Sequence, residues 1–145
     1  MLLKTRETPK TRFRKGHVTL KLRFTNLRSD KGRLRVALFN KPKGFPEDFQ
    51  QAYRVLSLQI VNKQVTATID NLPMDQAYAL CYYHDENGNV KLDKNLIGQP
   101  VEDYGFSGGA KGLFGPPSFS KARFRLEEPT TTLAFRVERV RSFGR

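Results

Sequence analysis

The stretch Val18-Thr19-Leu20-Lys21-Leu22-Arg23-Phe24 carries an apolar side chain at each even position and a polar or cationic one between. Successive side chains of an extended chain point to opposite faces, so it reads as a strand with one dry and one wet face. The same period of two resumes in Arg33-Leu34-Arg35-Val36-Ala37-Leu38-Phe39. The intervening Arg28-Ser29-Asp30-Lys31-Gly32 has turn chemistry, which predicts a hairpin of the two strands. Val55 to Ile69 reads as a second hairpin, bent at Asn62-Lys63 and ended by Asn71-Leu72-Pro73, and Ala77 to His84 as a further strand. Phe119 to Leu126 and Thr130 to Val137 form a last pair turning around Glu128-Pro129. Only Glu47 to Arg54, behind the breakers Pro42, Gly44 and Pro46, has a helical pattern, with Phe49 and Tyr53 on its apolar side. Short, regularly spaced strands with almost no helix predict an all-β, antiparallel sandwich of about seven to eight strands, with Greek-key connections and one short helix. Leu20, Leu22, Phe24, Leu34, Val36, Leu38, Ile69, Leu80, Phe124 and Phe135 hold the apolar phase and are the expected core.

At 145 residues the chain is long enough to bury such a core as one domain, expected over residues 17–139. Residues 1–16 read as a flexible basic arm and 140–145 as a basic tail. Charge follows this division. The 26 Lys and Arg exceed the 14 Asp and Glu by 12, and residues 1–35 alone hold 12 basic and 2 acidic side chains. No run approaches the roughly 20 apolar residues that cross a bilayer, and the first residues lack the apolar segment of an export signal. Cys81 is the sole cysteine, so no disulfide forms within the chain. Within Ala79-Leu80-Cys81-Tyr82-Tyr83 it reads as a core thiol rather than a nucleophile.

Several separate motifs occur in one order: Leu27-Arg28-Ser29-Asp30-Lys31-Gly32, Val36-Ala37-Leu38-Phe39-Asn40, Gly44-Phe45-Pro46, His84-Asp85-Glu86-Asn87-Gly88-Asn89, and Gly112-Leu113-Phe114-Gly115-Pro116-Pro117-Ser118-Phe119. Together, over roughly residues 18–137, they resemble a bacterial family known as domain of unknown function 2141. The resemblance implies a β-sandwich of transthyretin-like or immunoglobulin-like type, and export from the cytoplasm for most members. It implies no activity. The missing export signal departs from the family pattern and leaves location open.

The segment Asp85-Glu86-Asn87-Gly88-Asn89-Val90-Lys91-Leu92-Asp93 places oxygen-bearing side chains at loop positions 1, 3, 5 and 9. With the backbone carbonyl of Lys91 at position 7, this is the spacing with which a tight loop wraps a hard cation such as calcium. Asp85, Asn87, Asn89, Lys91 and Asp93 are therefore the candidate metal ligands, with Glu102 or Asp103 to complete the shell. Two positions depart from the pattern. Val90 stands where the bend favours Gly, and Leu96 where a bidentate Glu would close the site. The competing reading makes Asn87-Gly88 the two-residue bend of a type I′ hairpin. Both stay open at this point.

Lys21, Arg23, Arg33, Arg35, Arg123 and Arg125 hold the wet phase of their strands, with Arg136 near them. If the first and last strands are neighbours, these residues make one cationic face able to hold a polyanion, either nucleic acid or an anionic membrane surface. The alternative is a solvated face that maintains solubility. Tyr104 to Pro117 is too long for a turn and reads as a self-packed loop, in which Tyr104, Phe106 and Phe114 cover one end of the sandwich. It lacks the ending of a phosphate-binding P-loop. His84 with Asp85 and Asp93 is the one conceivable acid-base cluster, and no nucleophile has matching spacing. The expectation is a non-catalytic interaction module, with calcium as its conceivable ion, and polyanion binding as the alternative.

Overall fold

The computed structural model describes residues 16–110 and 115–140; the basic arm, Phe114 and the end of the C-terminal tail lie outside the described residues. Among the described residues eight strands run in chain order: β1 His17–Thr25, β2 Arg33–Phe39, β3 Arg54–Leu58, β4 Val65–Pro73, β5 Ala77–Asp85, β6 Tyr104–Phe106, β7 Phe124–Arg125 and β8 Thr130–Arg136. Sheet one has the order β4-β1-β8, and sheet two the order β3-β2-β5-β6 with β7 on β5. The result is a β-sandwich with no closed barrel.

Leu20, Leu22 and Phe24 of β1 meet Leu34, Val36 and Leu38 of β2 and Tyr78, Leu80 and Tyr82 of β5 in one buried cluster between the sheets. Eight of the ten expected core residues are buried, while Phe124 and Phe135 are half-buried and pack against the cluster. Burying one such aliphatic or aromatic side chain contributes about 1.5–3 kcal/mol, so this layer dominates stability.

The strand partners differ from expectation. β1 and β2 are not a hairpin, because each belongs to a different sheet. Residues 26–32 carry the chain over the end of the sandwich: Asn26 takes φ +67°, buried Leu27 donates its N–H to the Lys63 carbonyl, and Gly32 takes φ +68°. A Cβ on Gly32 would collide with the Asp85 carbonyl, so glycine is required there. β3 and β4 are likewise split between sheets. The bend at Asn62-Lys63 occurs as read, with φ +55° and +60°, but it closes only the Val61–Gln64 bridge. β1 and β8 are indeed neighbours, and they pair parallel, Leu22 opposite Leu133. The sandwich is thus not purely antiparallel.

Two local expectations also change. The helix expected over 47–54 is one 3₁₀ turn, Phe49–Gln51, and Arg54 already begins β3. Phe119–Ala122 is a short helix, α1, whose N–H at Lys121 is accepted by the Ser118 side chain. The segment Ala79 to Tyr83 lacks alternation because β5 is covered on both faces. On the outer face of sheet two, Ala37, Phe39 and Cys81 form a second apolar layer beneath Phe45, Phe49, Ala52, Phe106 and Phe119.

Candidate functional site

β5 ends in Asp85, and its carboxylate organises the loop that follows. Oδ2 accepts from the Val90 N–H at 2.8 Å and Arg35 Nε at 3.0 Å, and Oδ1 from the Asn89 N–H at 3.2 Å. The Asp85 side chain is wholly buried. Asn87 and Asn89 turn their amide NH2 groups to Asp93, at 2.6 and 2.7 Å, while their carbonyl oxygens accept from backbone N–H groups. Val90 takes φ +63°, the left-handed bend that the cation-loop pattern assigns to Gly. Asn87 has no positive φ, so the type I′ geometry is absent at Asn87-Gly88. The loop is a self-capped one, in which the oxygens that would face a cation hold N–H groups. Among the described residues, no three His, Cys, Asp or Glu side chains gather closely enough to hold a metal ion.

Two carboxylates back this loop from residues 102–103. Burial pushes Glu102 up to about 7, and its Oε1 accepts the Asp93 N–H at 3.0 Å. Hydrogen bonds from Asn89 and then Asn87 hold Asp93 below the usual carboxylate range. Burial alone would lift Asp103, but Arg28, the Val140 N–H and Arg139 keep it low. Arg28 grips it through Nε at 3.1 Å and Nη2 at 2.9 Å. His84, 1% exposed, contacts the Lys31 carbonyl through Nε2 at 2.8 Å, and its buried Nδ1 has no partner among the described residues.

The six cations do not share one face. Lys21 and Arg23 point outward from sheet one, Lys21 between Thr68 and Thr132 and Arg23 between Thr66 and Ala134. Arg136 stands opposite Thr25 in the same sheet. Arg33 and Arg35 point away from the core on β2, in the other sheet, and bond Ser57. Arg123 and Arg125 are exposed at β7, where Arg125 pairs with Glu127 at 3.5 Å. Outward phases of two packed sheets face opposite ways, so splitting β1 from β2 divides the predicted surface.

The outer side of sheet two instead carries a cleft of about 750 Å³. Arg35, Cys81 and Tyr83 form its floor, Val55 and Ser57 of β3 border it, and Tyr104 and Phe106 close one end. Pro46, Glu47 and Phe49 make one wall, and residues 90–92 and Lys94 with 98–100 the other. The Phe49 ring lies 5.8 Å from that of Tyr83, and Lys94 reaches Glu47 across the cleft at 3.3 Å. Such a volume falls within the roughly 300–1,000 Å³ of small-ligand sites. Sequence reasoning missed this cleft. Its one signal was the uninterrupted apolar run of β5, which marks a strand covered on both faces.

The model of one protein family, described as an uncharacterized protein conserved in bacteria (DUF2141), matches residues 22–134. No curated protein and no solved structure matches the chain.

Proposed function

Because the chain belongs to this bacterial family, and a β-sandwich by itself names no activity, we propose from its geometry a non-catalytic binding module whose ligand enters the cleft over sheet two. The observation that carries this reading is the concave, mainly aromatic and aliphatic lining around Phe49, Tyr83, Phe106 and Val55. The reactive side chains support the non-catalytic part. Burial pushes the Cys81 thiol far above its ordinary value, leaving little thiolate to attack a substrate. His84 is buried against the Lys31 carbonyl and has no open side for a substrate. The test is nuclear magnetic resonance of the chain with small apolar probes such as indole and cyclohexanol. Shifts confined to Val55, Tyr83, Leu92 and Phe106 are expected. Shifts confined to the Lys21 and Arg23 side, or none with any probe, overturn the reading.

Polyanion binding remains the second reading, favoured by one observation. The outer face of sheet one sets Lys21 and Arg23 among Thr66, Thr68 and Thr132, with Asp70 as the nearby acid, engaged by Thr19 at 3.1 Å. Hydroxyls and cations on a flat sheet can receive phosphate or sulfate groups. This face lacks the aromatic platform on which single-stranded bases stack.

A further inference from the structure

We infer that the cleft over sheet two receives one alkyl chain ending in an anionic head, the chain lying over Phe49, Tyr83 and Phe106 and the head at Lys91. The inference rests on the cleft being the binding site and adds the class of its ligand.

The exposed aliphatic side chains point to a chain. Among the described residues the large exposed apolar ones are Val55, Val61, Val90, Leu96 and Ile97. Val55 and Val90 line the cleft, and Leu96 and Ile97 stand between Lys94 and Gly98, which also line it. Single exposed aliphatics need no explanation, but Val55 and Val90 both line the recess, and Leu96 and Ile97 follow on the segment that forms one of its walls. A sugar or other polyhydroxylated ligand would find few partners on such walls, and burying its hydroxyls unpaired is costly. An extended peptide would have to pair with the free edge of β3. There the Ser57 carbonyl already accepts from Arg33 at 2.7 Å.

The charges select the head. Arg35 in the floor is neutralised by Asp85 and bonds Ser57, and Lys94 is paired with Glu47. Lys91 is exposed at the mouth, where its charge also acts on Asp93, a carboxylate already held by Asn87 and Asn89. An exposed cation beside an apolar recess suits an amphipathic anion. A bilayer presents a broad surface, whereas these residues line a recess between two walls, so a free amphiphile is the occupant.

The experiment titrates the chain with dodecanoate, dodecanol and dodecylammonium, each below its aggregation concentration, following resonances of Tyr83, Phe106 and Leu92 together with calorimetry. Dodecanoate should bind best, with dodecanol weaker and dodecylammonium weakest. Lys91→Glu should weaken dodecanoate about fivefold, the scale of an exposed ion pair, and remove the preference between heads. Val55→Arg, an exposed position whose change a melting curve can check for folding, should weaken all three. Equal affinity for the three heads overturns the anionic head and leaves the cleft reading intact. If indole or cyclohexanol shifts the cleft and none of the three chains does, the alkyl ligand falls alone. If nothing shifts the cleft, both fall. Sedimentation with vesicles of anionic phospholipid, in the absence of dodecanoate binding, also overturns the inference, since the partner would then be a bilayer.

Discussion

Val90 holds φ +63° at the centre of the Asp85 loop, a conformation that costs a β-branched side chain roughly 1–2 kcal/mol. Glycine removes that strain and returns part of the gain as extra freedom of the unfolded chain. Val90→Gly is therefore expected to stabilise the fold by about 0.5–1 kcal/mol in urea denaturation. The gain should appear without calcium. Since Asp85 is engaged by Arg35 and two N–H groups, calcium up to several millimolar should leave the melting temperature unmoved. A rise in either protein would restore the cation-loop reading. Glu102 sets a second residue-level expectation. Its carboxyl is raised by burial to about 7 in the folded chain, against roughly 4.3 when unfolded. The folded state thus binds the proton more tightly. That contribution is complete below about pH 4 and is lost as pH rises through about 7. Glu102→Gln should flatten the fall in stability over this window, and a wild-type profile already flat there would contradict the placement of Glu102.

Between elements, single carboxylates hold connections together. Asp30 accepts the N–H groups of Asn62 at 3.1 Å and Lys63 at 2.7 Å, joining the β1–β2 connection to the bend before β4. Asp103 takes Arg28 from the same connection and the Val140 N–H beyond β8, while its backbone carbonyl takes the His84 N–H of β5. Asp103→Asn should cost about 2 kcal/mol. That is below the 3–5 kcal/mol of a fully buried broken pair, because Arg28 keeps 31% of its side-chain exposure. The folded Asp103 is held low, so its contribution is present above the ordinary Asp range and lost as pH falls below it. The variant should therefore be less stable at neutral pH and show a shallower acid limb. Equal acid limbs would show that Asp103 carries no such linkage.

For the whole molecule, the division of cations between two sheets makes the polyanion reading separable from the cleft. If a polyanion binds sheet one, Lys21→Glu with Arg23→Glu should lower affinity for a sulfated polysaccharide more than tenfold and flatten its salt dependence. Arg33→Glu, on the far face, should change it little. Equal losses from both would mean that net charge, not a face, drives binding. The all-β class, the core phases of β1 and β2, and the bend at Asn62-Lys63 followed from sequence alone. Alternation and turn chemistry are local, and each strand must bury its dry face whatever its neighbour. The family motifs were legible in the same way, since they are contiguous runs. Alternation says nothing of which strand lies beside which, so both expected hairpins proved to cross between sheets and the predicted cationic face divided. The cleft depended wholly on tertiary structure. Val55, Phe49, Tyr83, Leu92 and Phe106 are far apart in the chain, and only the folding of two loops over the outer side of sheet two brings them together.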